Sequence, residues 1–259
     1  MIASRPPTVW KDPTVDPDVE RRIRQLALPL ALLLAFLVTG SGLRGIARTF
    51  LTMWVHELGH AVAAWLSGYG AFPGPWRTPV SEERMVVVTL LVAGALIYGG
   101  VRAWRAEARG WTAALAVVLV LQLYLTFGLR AHAARGFITF CGDGGALVLA
   151  TLMMASLYVR PGSPLHRGWL RWGFLVIGAF AFMDVFRTWW QAKHSALGVE
   201  FGEIEGVGES DPTKLVFEHG WTEAKLVSRY LTLGWLGLLS LLVLYLVHLR
   251  RPVEPDRDG

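Results

Sequence analysis

Long apolar runs separated by short polar connections set the terms for this chain. A run of about 18 or more apolar residues must be covered by lipid or enclosed by other helices. Such runs fall at residues 23–39, 44–67, 85–104, 111–129, 139–159, 168–190 and 226–249. They predict an all-α, polytopic helical membrane protein with about seven transmembrane helices, six to eight being compatible with the pattern. Of the 259 residues, 53% are hydrophobic. Residues 1–22 read as a polar N-terminal tail containing Pro6, Pro7, Pro13 and Pro17, and residues 250–259 as a charged C-terminal tail. Between them, residues 23–249 read as one integral membrane domain with no internal repeat and no soluble module. Residues 71–84 carry Pro73, Pro75 and Pro79 and are expected to form a loop or a re-entrant segment.

Charge and cysteine content narrow the partners. The formal charge of +5 comes mainly from arginines in short connections. No basic patch is interleaved with aromatics on a polar surface, so the expected partner is the lipid bilayer and not a nucleic acid. The single cysteine, Cys141, excludes an internal disulfide and a cysteine-rich zinc module. A small buried residue is the expected role for Cys141. No cleavable signal is expected, because residues 1–20 are polar and the first apolar run lacks a small-residue cleavage site. The expected location is a bacterial inner membrane, crossed several times. Arg44, Arg48, Arg102, Arg105, Arg109, Arg160, Arg167, Arg171, Arg250 and Arg251 would share the cytoplasmic side, although Arg21, Arg22 and Arg24 pull the other way. Trp104, Trp111, Trp169 and Trp172 are expected at one membrane interface, and Trp189, Trp190 and Tyr230 at the other. Gly94, Gly99, Gly173 and Gly178 are expected where helices pack closely.

Inside the second run lies Trp54-Val55-His56-Glu57-Leu58-Gly59-His60, a His-Glu-x-x-His pattern. On a helix, His56 and His60 project from one face about one turn apart. Two neutral imidazoles so placed can hold one Zn²⁺, and Glu57 beside them can act as general base on a water. The competing reading is a set of polar groups that merely hydrogen-bond inside a bundle. The apolar setting argues against it, since each ionisable side chain near a bilayer centre costs about 2.5 kcal/mol or more. Gly59 permits close approach of a second helix or of a substrate strand. Haem ligation is excluded, because two histidines on one helix face cannot clamp opposite sides of a haem.

A catalytic zinc takes three protein ligands, so a third must come from elsewhere. Asp143, Asp184 and Asp211 are the candidates, with His132, His194 and His219 behind them. Asp184 also has Arg187 three residues on, which predicts an intrahelical ion pair. Asp211-Pro212 before an apolar stretch reads as a helix start, with Asp211 as N-cap.

His56-Glu57-Leu58-Gly59-His60 in one span, with Asp143-Gly144-Gly145 opening a later one, resembles the site-2 protease family of intramembrane zinc metalloproteases. The resemblance covers residues 44–160. It implies zinc bound by His56, His60 and Asp143, with Glu57 activating water. The implied activity is a zinc metallopeptidase of the His-Glu-x-x-His type, acting on another membrane protein's span. Two departures stand out: residues 134–139 precede Asp143 where the family has an Asn/Pro-rich stretch, and two runs separate the motifs where the family has one. A non-proteolytic membrane protein using the same histidines for metal binding or metal transport is the alternative.

Overall fold

The apolar runs become helices, and their pattern of exposure separates those that meet lipid from those enclosed by protein. The computed structural model describes residues 17–159, 163, 165, 169–195, 201–204 and 208–250. Helix α1 (Pro17–Thr39) accommodates Pro29 and begins inside the stretch expected as tail. The remainder of both expected tails, 1–16 and 251–259, lies outside the described residues.

Next comes an almost unbroken helical segment. It runs from α2 (Arg44–Ala47) through a π-helical turn at Arg48–Thr52 into α3 (Met53–Leu66), which carries the histidines. A single-turn widening of this kind often sits beside functional residues. Strands β1 (Tyr69–Ala71) and β2 (Val80–Arg84) follow and pair antiparallel. The expected loop is therefore a hairpin. Arg84 fixes it to the bundle, donating from Nη2 to the Leu129 carbonyl at 2.8 Å and from Nε to that of Ser67 at 3.2 Å.

Helices α4 (Val86–Arg105) and α5 (Arg109–Leu123, extended by a π-helical turn at Tyr124–Gly128) pack on each other. The expected fifth run begins earlier than its hydropathy suggests. It is split into α6 (Ala131–Phe140) and α7 (Asp143–Ala155), with a 55° bend at Cys141-Gly142. Helix α8 (Leu170–His194) runs among α1, α7 and α10 (Glu223–Arg250). Between α8 and α10 lie the short strands β3 (Glu203–Ile204) and β4 (Gly208–Glu209) and the short helix α9 (Asp211–Phe217).

Among the described residues, four helices are long and apolar enough to cross a membrane: α1, α4, α5 with its π turn, and α10; the bent α6–α7 pair makes five if counted as one span. The count of seven does not follow from length and composition. The reason is physical. Much of α3 and of α8 is packed against protein, so polar groups on those faces can be matched by protein partners instead of lipid. Asp184 on α8 is 1% exposed and accepts from Arg44 Nε at 2.8 Å, with Arg48 at 3.8 Å. The expected Asp184–Arg187 pair does not form. Arg187 instead reaches the Phe36 carbonyl and lies over the Phe36 ring. Lower on α8, Arg171 donates to Glu20 at 2.8 Å, both side chains being buried.

The aromatic assignments divide in the same way. Trp104, Trp111 and Trp169 are exposed, as an interfacial belt requires. Trp189 and Tyr230, expected at the opposite interface, are instead buried and stacked on each other. Their rings pack in the core because they support the site described below. Of the four glycines expected at close helix contacts, Gly178 and Gly99 face α7 and α5, whereas a side chain at Gly94 or Gly173 would meet open space.

Candidate metal centre

Helix α3 presents His56 and His60 one turn apart, with ring centroids 4.8 Å apart and ring planes at 85°. Their Nε2 atoms are 3.2 Å apart. What allows this is the close seating of α3 on the start of α7. A Cβ at Gly145 would lie 2.7 Å from the Gly59 Cα, and one at Gly59 would collide with the Cys141 carbonyl. Gly59 is thus a helix-packing residue. Cys141 is buried and free, as expected of a small core residue.

Each imidazole has its outer nitrogen committed. His60 Nδ1–H donates to the Ile138 carbonyl at 2.8 Å, and His56 Nδ1–H to Asp143 Oδ1 at 2.9 Å. A carbonyl and a carboxylate accept only, so both rings carry their proton on Nδ1 and turn an Nε2 lone pair inward. Trp189 Nε1–H donates to Asp143 Oδ2 at 2.7 Å, so both carboxylate oxygens of Asp143 are held.

The third inward atom is Asp211 Oδ2, from the first turn of α9. It lies 2.9 Å from His60 Nε2 and 3.2 Å from His56 Nε2. That oxygen is buried with no hydrogen-bond partner. Burial alone would raise the Asp211 carboxyl, but positive charge on the side of His60 and His56 lowers it well below the usual carboxylate range. The helix start expected at Asp211-Pro212 is present, with Ser210 and not Asp211 in the N-cap position. Freed from capping, the Asp211 side chain faces the histidines.

With both imidazoles neutral, His56, His60 and Asp211 bring three acceptor atoms within 4.8 Å of one another. Lone pairs this close repel. One proton relieves one contact of the triangle, whereas a divalent cation relieves all three. Tetrahedral zinc with ligands at about 2.0–2.1 Å sets them about 3.3 Å apart, near the 2.9–3.2 Å separations found here. The donor set, two imidazole nitrogens and one carboxylate oxygen, fits a catalytic zinc site.

Of the residues singled out in the sequence, His56, His60, Asp143 and Asp211 come together, but Asp143 and Asp211 take different places. Asp143 meets the outer nitrogen of His56 and Asp211 meets the inner nitrogens. Asp184 is engaged with arginines instead. The His132 and His219 rings meet at a 60° tilt with centroids 4.6 Å apart, and His194 lies edge-on to Trp190. The His132–His219 contact has a use, because it docks the segment that carries Asp211. His132 Nε2–H donates to the Glu218 carbonyl at 3.1 Å, and Gly136 leaves room for the His219 ring. Leu215 of α9 is fully buried beneath.

A cavity of about 590 Å³ opens onto the cluster and includes Glu57, Thr78, His132 and His219 in its walls. Glu57 is 4% exposed, and its Oε2 accepts a hydrogen bond from the Thr78 hydroxyl at 2.7 Å. Thr78 was not singled out by the sequence, and Trp189 was singled out only as an interfacial aromatic. Neither carries a spacing or a motif that points to the histidines.

The arrangement around Asp143 makes a measurable difference. A carboxylate on the outer nitrogen orients a ligating imidazole and raises its basicity, and its loss typically costs about 10- to 100-fold in metal affinity. Asp143→Asn is expected to weaken zinc binding by about that factor in competition against a chromogenic chelator. No protein-family model, curated protein or solved structure matches this chain.

Proposed function

We propose that this protein is an intramembrane zinc metallopeptidase, similar in its chemistry to the site-2 protease family, with His56, His60 and Asp211 as metal ligands and Glu57 as general base. The observation that carries the reading is the triangle of three facing acceptors with an ionisable carboxylate, Glu57, lining the same cavity. Asp143, the ligand implied by the resemblance, here takes the role of orienting His56. On this reading the motif segment and α8 are further membrane crossings enclosed by their neighbours. Together with α1, α4, α5, the bent α6–α7 pair and α10 they restore seven.

Zinc held by these ligands supplies Lewis-acid polarisation of a peptide carbonyl and acidifies a water towards neutral pH. The chain's own residues do the rest. Glu57 accepts the proton of the attacking water and returns it to the departing amine. The Asp143–His56 and Ile138–His60 hydrogen bonds keep both Nε2 lone pairs inward throughout. The cavity walls restrict bulk water, which strengthens the charge interactions inside. A second membrane protein's span is the substrate class that suits a site enclosed by helices.

The test is cleavage of a single-span reporter by purified protein in liposomes. Cleavage should stop when metal is stripped by 1,10-phenanthroline and return with added zinc. Cleavage that persists in metal-free protein contradicts the proposal. Zinc flux that depends on His56 and His60, without cleavage, would favour the transport alternative.

A further inference from the structure

One contact of Glu57 comes from outside its helix. The segment between β1 and β2 brings Thr78 over α3, where its hydroxyl lies 2.7 Å from Glu57 Oε2 and 2.9 Å from the Glu57 carbonyl oxygen. The hydroxyl has one proton for two acceptors on the same residue. With Glu57 ionised, the charge-assisted bond to Oε2 is the stronger.

The same segment forms one wall of the cavity, through Trp76, Arg77, Thr78 and Pro79. It is internally braced, with Phe72 N–H donating to the Pro79 carbonyl and Gly74 N–H to that of Arg77, each at 3.2 Å. Thr78 thus projects from a braced segment that forms part of the cavity wall.

We propose that Thr78 is the positioning residue of the general base, and that it ties the hairpin segment to the motif helix so that a peptide entering the cavity acts on Glu57 through it. This deepens the peptidase reading of Glu57 and rests on it. Thr78 touches neither metal nor reacting atoms. Its role is to hold the carboxylate plane and to report the position of the cavity wall.

Two measurements separate this role from simple structural support. In the reporter assay, Thr78→Val is expected to lower kcat by about 10- to 100-fold with KM and zinc content unchanged. Thr78→Ser should restore kcat, since serine supplies the hydroxyl. In hydrogen exchange on the full-length protein, amides of residues 71–80 should exchange about 10-fold faster in Thr78→Val, the scale of one lost hydrogen bond to a charged group. Glu57→Ala should accelerate them less, because the Thr78 hydroxyl can still donate to the backbone carbonyl of residue 57, and the double variant should exchange like Thr78→Val alone. Wild-type kcat in Thr78→Val overturns the positioning role, as does a serine variant as impaired as the valine one. Unchanged exchange in Thr78→Val, or additive effects in the double variant, overturns the tether. The exchange experiment needs no peptidase activity. If Glu57→Gln cleaves like wild type, the peptidase reading fails while the tether is still read.

Discussion

If the proposed centre holds zinc, Gly142→Ala is expected to abolish zinc binding while leaving the protein folded. A Cβ at this position would stand 2.6 Å from Asp211 Oδ2, His60 Nε2 and His56 Cε1 together. No flexible side chain can give way, because all three neighbours belong to the cluster itself. The backbone does not object: φ −55° and ψ −76° are open to alanine. The cost therefore falls on the site and not on the helix. Displacing ligands themselves should exceed the 10- to 100-fold typical of lost supporting contacts, so zinc affinity is expected to fall by more than about 100-fold. Thermal unfolding of the metal-free wild type and variant should coincide. A variant that binds zinc like the wild type would contradict the placement of the metal among His56, His60 and Asp211.

The second large effect concerns chemistry and not binding. Glu57→Gln keeps the size and hydrogen-bonding capacity of the side chain but cannot take a proton from water. General-base contributions are typically about 10²- to 10⁴-fold, and kcat for the reporter is expected to fall by that amount. Zinc content should not change, because Glu57 is outside the ligand triangle. Activity lost together with zinc would indicate a structural role for the carboxylate.

How much of this was legible in the sequence depends on the range of the interaction concerned. The helices were legible because apolar runs act locally, and the His56–His60 pair was legible because four residues make one turn. The count of spans was harder to read. Helix α8 carries Arg171, Asp184 and Arg187, yet it lies among other helices where Glu20, Arg44 and Phe36 receive those groups. Partners more than a hundred residues away leave no local trace. The break at Cys141-Gly142 was hidden in the same way, since hydropathy runs smoothly through a 55° bend.

The two aspartates show where motif reading stops. Asp143-Gly144-Gly145 was visible as a motif, and Asp211-Pro212 only as a helix start. Both reach His56, but the side of the ring each one meets is decided by how α7 and α9 dock. That docking depends on Leu215 burial, the tilted His132–His219 ring contact and the absence of a side chain at Gly142. None of these has a sequence spacing. Trp189 looked like an interfacial aromatic because it sits near the end of an apolar run. It is buried because its indole N–H serves Asp143 and its ring stacks on Tyr230.

The central claim is that His56, His60 and Asp211 form one metal centre. Zinc stoichiometry by atomic emission on purified wild type, Asp211→Ala and Asp143→Ala tests it most directly. About one zinc per chain in the wild type, none in Asp211→Ala and a weakened but present ion in Asp143→Ala is the expected result, since removing a ligand costs more than removing a supporting carboxylate. Full zinc in Asp211→Ala would contradict the account, and with zinc lost from Asp143→Ala it would return the third-ligand role to Asp143.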